Sequence, residues 1–357
     1  MRPTRAEIDL AAIRENVRQL AALVKPAEMC AVVKADAYGH GDVPVAEAAV
    51  EAGAARLAVA LVEEGVRLRE AGVEAPILVL SEPSNHDAAE MIHWGLTPTA
   101  YRTEFLHALA AVANEPVAVH LKIDTGMHRV GAPVDDLSRL VEAVTGPLRL
   151  GAVWTHFAVA DEDPDFTTLQ LDRFRQAAAG LGVPFHLANT AGAILFPKAR
   201  ADMVRVGLGV YGLHPCPETR DVVELRPAMR VVSEVVYVRR LPAGSRPSYG
   251  RRRALEKDST VVTVPIGYAD GMPRRLSDTG GEVLIGGRRY PLAGTVTMDQ
   301  IVVDVGDDRI EVGAPVVLLG RQGEEEIGAD EWAERVETIS YEVVCDIGPR
   351  VPRRYVE

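Results

Sequence analysis

The sequence predicts an α/β architecture: an N-terminal (β/α)8 barrel followed by a C-terminal, mostly antiparallel β domain. Eight short β-branched runs alternate with helix-length amphipathic stretches through the first two thirds of the chain, the pattern of parallel strands joined by crossover helices. After about Leu225 the texture changes to short strands separated by Gly, Asp and Pro turns, which a compact antiparallel domain explains better than more barrel. The length of 357 residues exceeds a single barrel of about 250 residues and leaves room for a second domain. The change of texture divides the chain into 1–225 and 226–357.

Taken in order, "EIDLAAIRENVRQLAALV" opens the chain as a helix with Asp9 as its N-cap. The strand candidates are "MCAVVKA", "RLAVAL", "PILVLS", "LTPTAY", "VAVHLKID", "LRLGAVWTHF", "PFHLAN" and "DMVRVGLG". Between them lie helical patterns such as "VPVAEAAVEAGA", "VEEGVRLREAG", "TEFLHALAAVAN", "PVDDLSRLVEAVTG" and "TTLQLDRFRQAAAGLG". Eight such units suit a closed barrel over roughly residues 10 to 225. The second domain reads as "RVVSEVVYVRRL", "STVVTVPIGYAD", "GEVLIGGRRYPLAG", "QIVVDVGD" and "APVVLLG". No repeat of solenoid or propeller period is present.

Apolar residues make up 47% and charged residues 25% of the chain, as in folded globular proteins. A net charge of −12 argues against nucleic acid or an anionic membrane as partner. The one dense cationic cluster, "SRPSYGRRR", is either a solvated loop or a gate for anionic substrates. The N-terminus lacks the pattern of a signal peptide and no run is long and apolar enough to span a bilayer, so a cytoplasmic location is expected. Cys30, Cys216 and Cys345 have neither disulfide-framework nor zinc spacing, and no metal is expected.

Side chains at the C-terminal ends of barrel strands converge on one mouth, where barrel active sites lie. The first strand delivers Lys34 and Tyr38, the fifth Lys122, Asp124 and Arg129, the sixth His156, the seventh Asn189 and Thr190, and the eighth Arg205 followed by glycines. Lys34 is either a structural lysine reaching for water or a desolvated amine able to form a Schiff base. The glycines of "RVGLGVYGL" either make a tight turn or cradle a phosphate. Arg205 either pairs with a carboxylate such as Asp202 or faces a ligand atom. The segment "KIDTGMHRVG" can be an ion-paired loop, and His156 a hydrogen-bonded core histidine. The conjunction of these groups at one rim favours a functional reading.

The segments "VVKADAYGHG", "LKIDTGMHRVG", "WTHFAVADE", "HLANTAG", "MVRVGLGVYGL", "VPIGYADGMPR", "GTVTMDQIVVDV" and "SYEVVCDIGPRVPR", in this order over nearly the whole chain, resemble the alanine racemase family. The resemblance implies an isomerase that uses pyridoxal 5′-phosphate to interconvert L-alanine and D-alanine for peptidoglycan. It also implies a homodimer in which the C-terminal domain contributes to the partner's active site. Lys34 then matches the lysine that holds the cofactor and acts as one acid–base group, and Tyr268 matches the second. His156 and Arg205 match a relay behind the tyrosine, with Arg205 facing the pyridine nitrogen. Tyr38, Thr190, Gly207 and Leu208 match phosphate-contacting positions, with Thr190 where serine is commonest, and Asn189 falls in the cofactor-binding set. Arg129 and the Met298 backbone N–H match substrate-carboxylate contacts, Lys122 a lysine often carbamylated, and Asp161 and Asp299 entrance positions.

One departure bears on specificity. Many members of the family carry a gate tyrosine where this chain has Pro349. An amino-acid racemase that also admits serine is therefore the alternative expectation. A cofactor carrier without racemase activity is disfavoured by residues 226–357 and Tyr268, because a carrier needs no second proton donor.

Overall fold

The computed structural model describes residues 2–357, which fall into two compact units. One unit comprises Ala11–Ala37 and Gly41–Arg226; the other contains the N-terminal residues through Leu10, Tyr38–His40 and Pro227–Glu357.

The first unit is a closed parallel barrel. Its eight strands are Glu28–Val32, Arg56–Val59, Ile77–Val79, Thr97–Ala100, Val117–Asp124, Leu148–Trp154, Phe185–His186 and Met203–Val206. Each overlaps one predicted run. Successive strands pair in parallel, and the ring closes where the eighth strand meets the first, with Met203 opposite Glu28 and Val206 opposite Ala31. This register brings Gly207 level with Val32, so the Gly-rich turn and Lys34 emerge at one rim.

The strands are short, two to eight residues, and mostly buried, as parallel strands covered by helices must be. Covering helices include Asp42–Glu51, Val62–Glu70, Thr103–Val112, Leu137–Ala143 and Pro164–Ala177, each overlapping a predicted helical stretch.

The opening helix runs over Leu10–Val24 and does not include Glu7, Ile8 and Asp9. These three belong to the strand Arg5–Asp9, which pairs antiparallel with Met229–Glu234 in the second unit. Its residues alternate between buried and half-buried, the period-2 signature of a strand. Ile8 also fits the helical spacing that follows it, and only the distant pairing partner decides the matter.

The second unit contains a sheet in the order Arg288–Pro291, Glu282–Ile285, Pro315–Gln322, Met229–Glu234, Arg5–Asp9 and Arg353–Val356, with Glu325–Ile327 added on Pro315–Gln322. A three-stranded sheet joins Tyr237–Leu241, Ser259–Val264 and Ile301–Gly306. All these pairings are antiparallel except that of Arg5–Asp9 with Arg353–Val356, which come from opposite ends of the chain. The run "RVVSEVVYVRRL" is two strands lying in different sheets, broken at Val235 and Val236. Two helices, Ala329–Val336 and Ser340–Cys345, complete the unit. Among the described residues no helix is long and apolar enough to cross a membrane.

Candidate active site

Lys34 begins a one-turn helix, Lys34–Gly39, of unusual hand. The φ angles of Ala35, Asp36, Ala37 and Tyr38 are +53°, +53°, +51° and +53°. A left-handed conformation costs an L-residue roughly 1–2 kcal/mol, so four in succession cost ~4–8 kcal/mol. Such strain persists only where the surroundings over-determine it, and it gathers at functional sites. Here the turn is closed by Ala37 N–H donating to Val33 O at 3.0 Å and Gly41 N–H to Asp36 O at 2.8 Å. Nothing in "VVKADAYGHG" announces it, because alanine, aspartate and tyrosine are ordinary right-handed residues.

Beside Lys34, Tyr211 on the turn after the eighth strand donates its hydroxyl to Val32 O at 2.8 Å. This fastens the Gly207–Gly212 segment to the end of the first strand. Gly207 N–H donates to Thr190 Oγ at 3.1 Å, and Thr190 keeps its own hydroxyl proton for another acceptor. Asn189 caps the helix Thr190–Leu195, its Oδ1 accepting from Gly192 N–H at 2.9 Å. A Cβ on Gly209 would stand 3.0 Å from both Leu20 Cδ1 and Thr190 Cγ2, so glycine permits the close approach of these two segments.

Arg205 is 3% exposed and has no carboxylate partner among the described residues. Asp202 instead accepts from Phe185 N–H at 2.7 Å, so of the two alternatives the ion pair is not the one formed. The guanidinium donates to His186 Nδ1 (2.8 Å), His186 O (2.9 Å), Thr155 O (2.8 Å), Leu187 O (3.0 Å) and His156 Nδ1 (3.2 Å). A guanidinium only donates, which fixes the tautomers around it. His156 and His186 both accept at Nδ1 and carry their protons on Nε2. His186 Nε2–H then donates to His120 Nδ1 at 2.9 Å, leaving the His120 proton on Nε2.

Charge is concentrated here with little compensation. Burial, then Arg205, holds His186 well below the ordinary imidazole range, and burial with Arg205, Lys122, Arg129 and Lys34 does the same to His156. Burial and neighbouring cations bring His120 down to about 3, so all three rings are neutral near pH 7. Burial lowers Arg205 itself to about 9, which leaves it protonated. Lys122 and Arg205 both stand over the Trp154 ring, at 4.3 and 4.4 Å from its centroid, and Trp154 stacks on His186. Burial, then Arg205 and Arg129, brings the Lys122 ammonium down to about 7.

The Arg129 loop is organised by Asp124, whose Oδ1 accepts from Gly126 and His128 N–H at 2.9 and 3.0 Å. His128 Nδ1 lies 3.1 Å from Asp124 Oδ2. Asp124 thus spends its hydrogen bonds on its own loop, and its charge opposes the lowering of Lys122 less than Arg205 and Arg129 promote it. Asp161 follows the sixth strand, just before the helix Pro164–Ala177.

The remaining predicted residues lie in the second unit. Tyr38 packs against Tyr341 with ring centroids 6.2 Å apart, and burial pushes its phenol pKa up. Tyr268 and Met298 share one edge: Tyr268 N–H donates to Thr297 O at 3.0 Å and Ala269 N–H to Met298 O at 3.1 Å. Their side chains are 43% and 51% exposed, and Tyr268 lines an open cavity of about 390 Å³. A Cβ on Gly267 would overlap Thr297 O and one on Gly271 would overlap Asp346 O, so both glycines of "GYADG" are required by packing.

Buried Asp270 anchors the loop, its Oδ2 accepting from Gly267 N–H at 3.0 Å and Arg2 at 2.8 Å. Arg350 Nε stands 3.4 Å from Asp270 Oδ1, and the same guanidinium donates to Asp299 at 2.6 Å. Pro349, next to it, is exposed.

Several site residues escaped sequence reading. His120 stands two residues before Lys122 and so on the same strand face, which was the available signal. His186, Trp154, Asp270 and Arg350 had none. The donor set fits pyridoxal phosphate: a lysine on a strained turn, a hydroxyl and Gly-rich backbone beside it, and a buried guanidinium free of carboxylates.

Comparison with known proteins places this geometry. The family model described as "Alanine racemase, N-terminal domain" matches residues 8–215, and "Alanine racemase, C-terminal domain" matches residues 228–355. The chain is 46% identical to the alanine racemase of Symbiobacterium thermophilum over 99% of its own length and 97% of that protein. The alanine racemase structure from Streptomyces lavendulae superposes with a TM-score of 0.94 at 39% identity, covering 100% of this chain and 98% of the other. The structure of the alanine racemase from E.faecalis gives 0.94 at 38% identity, covering 99% of this chain and 98% of the other.

Proposed function

This chain belongs to the alanine racemase family and is an amino-acid isomerase that interconverts L- and D-alanine; we propose that it does so with pyridoxal 5′-phosphate and two proton-transfer groups, Lys34 and Tyr268. The observation that carries the proposal is Lys34 itself, held at a barrel rim by a left-handed turn and flanked by the Thr190–Gly207 contact. Pyridoxal phosphate, when bound, supplies an electron sink that acidifies the Cα–H of an attached amino acid.

The chain supplies the rest. Lys34 holds the cofactor, and Thr190, Gly207, Leu208 and Tyr38 take its phosphate, with Asn189 fixing the helix that presents Thr190. Arg205 would stand toward the pyridine nitrogen of the bound cofactor and, having donors and no acceptor, would favour that nitrogen unprotonated. His156 offers Nε2–H as a donor while Arg205 holds Nδ1. Arg129 and the Met298 N–H bind the substrate carboxylate, and Asp161 and Asp299 flank the entrance.

Lys122, lowered to about 7, presents the neutral amine that carbamylation requires: the amine adds to carbon dioxide, forming an N–C bond and releasing a proton. The carbamate orients Arg129. Racemisation needs groups on both faces of the substrate plane, and in a homodimer Tyr268 of the partner subunit supplies the second. Residues 1–225, apart from the N-terminal strand and Tyr38–His40 that pack with the C-terminal unit, form the cofactor-binding domain, and 226–357 the domain that contributes to the partner. The product serves cell-wall peptidoglycan synthesis in the cytoplasm.

The test follows L- and D-alanine conversion by circular dichroism with cofactor added. Lys34→Ala should abolish both the lysine-bound cofactor absorbance and turnover. Tyr268→Phe should keep the absorbance and lower kcat/KM by the same factor in both directions, because enantiomers have equal free energy in water. Undiminished racemisation by Tyr268→Phe would refute the two-base assignment.

A further inference from the structure

We propose that Glu64 is a positioning residue for Lys34, acting through the backbone of the left-handed turn; this rests on the reading of Lys34 as the cofactor-binding lysine. Glu64 lies in the first turn of the helix Val62–Glu70 that follows the second barrel strand. Its Oε2 does what a glutamate there ordinarily does, accepting from Leu61 N–H at 3.1 Å and from Ala60 N–H at 2.8 Å. Its Oε1 reaches out of its own loop and accepts from Ala35 N–H at 2.6 Å. That N–H belongs to the peptide joining Lys34 to Ala35, where the chain leaves extended geometry for positive φ.

The same helix grips the far end of the turn. Arg67, three residues after Glu64 and on the same helix face, donates to buried Asp42 at 2.5 Å. Asp42 N–H in turn donates to Asp36 Oδ1 at 3.0 Å. One helix therefore clamps both ends of a segment whose backbone would otherwise relax. A charge-assisted bond from a carboxylate is about twice as strong as a neutral one, which suits a strained peptide. Fixing that peptide plane fixes the direction in which Lys34 leaves the chain.

The control is Glu82, which follows the third strand and whose carboxylate accepts from Tyr101 and Arg102 N–H, after the fourth strand, at 2.5 and 2.9 Å and from the Arg102 guanidinium. The holoenzyme and its Glu64→Ala, Glu64→Gln and Glu82→Ala variants would be compared by amide hydrogen exchange over residues 33–41, cofactor absorbance and alanine kinetics. Glu64→Ala should raise exchange at Ala35 by about tenfold or more, since a native hydrogen bond protects it. It should lower kcat by roughly 10–100-fold with KM changed less than about threefold, as misplacement of a reacting group does. Glu64→Gln, which keeps one acceptor oxygen, should fall between. Glu82→Ala should lower the melting temperature while leaving exchange over 33–41 unchanged and kcat within about twofold.

Unchanged exchange and kcat in Glu64→Ala, or an equal loss of kcat in Glu82→Ala, would overturn the proposal. If wild-type protein lacked the absorbance of lysine-bound cofactor, the reading of Lys34 would fail instead, and the exchange comparison would still judge the clamp.

Discussion

Asp270→Asn tests whether the Tyr268 loop is held by one buried carboxylate. Asp270 is fully buried and receives Gly267 N–H and Arg2 on Oδ2, with Arg350 at 3.4 Å from Oδ1. Asparagine removes the charge facing two guanidinium groups and presents an NH2 to one set of donors. Losing the charge-assisted bond to Arg2 costs about 1.5–3 kcal/mol, and leaving a buried donor unpaired costs a further 1–3 kcal/mol or so. Together, about 2.5–6 kcal/mol, they bracket the roughly 3–5 kcal/mol that removal of one partner from a buried ionic pair costs. For a unit of this size that lowers the melting temperature by roughly 10–15 °C.

Calorimetry on the purified enzyme would measure the shift, and racemase kinetics the consequence for Tyr268. Its backbone is anchored only a few bonds away, so kcat should fall at least about tenfold. A melting temperature within about 2 °C of wild type, with kcat unchanged, would refute the view that Asp270 carries the loop.

Arg205→Lys keeps the charge but has three donors for five acceptors, so at least two acceptors lose a bond; His186 O still receives Thr155 N–H at 3.4 Å, so one or more is left unpaired and stability should drop by ~1–3 kcal/mol or more in denaturant titration. Lys122 is lowered to about 7 from an ordinary lysine value, so between that pH and about 10 the unfolded chain binds the extra proton and stability rises with pH by about 1.4 kcal/mol per unit. Lys122→Met should abolish that slope and be stabilising at pH 7 and below, as shown by urea midpoints across pH in carbon dioxide-free buffer. Wild-type enzyme should racemise L-serine measurably, and Pro349→Tyr should lower serine kcat/KM by roughly 10–200-fold with alanine little changed, the range one extra small group commands in a pocket. An unchanged serine-to-alanine ratio would remove Pro349 from the account of specificity.

Much of the fold was legible because its signals are local. Eight apolar runs of strand length with helical stretches between them leave little but a parallel barrel, and strand ends in a barrel point to one mouth. Lys34, Lys122, His156, Thr190 and Arg205 were readable as rim residues for that reason. Local signals failed where a distant partner decided the outcome. Arg5–Asp9 became a strand through Met229–Glu234, and "RVVSEVVYVRRL" was divided between two sheets.

What the sequence determined by itself was the order of elements, the identity of the rim residues and membership of a family whose motifs run the length of the chain. What only the tertiary structure decided was how those residues are held. Four ordinary L-residues adopt positive φ because Glu64, Asp36 and Asp42 bind the turn at both ends. Arg205 settles the tautomers of His156 and His186 because five acceptors from two strand ends converge on it in place of Asp202. Residues far apart in sequence set these hydrogen bonds, and burial makes each costly to leave unmade. No local pattern of residue types can encode them.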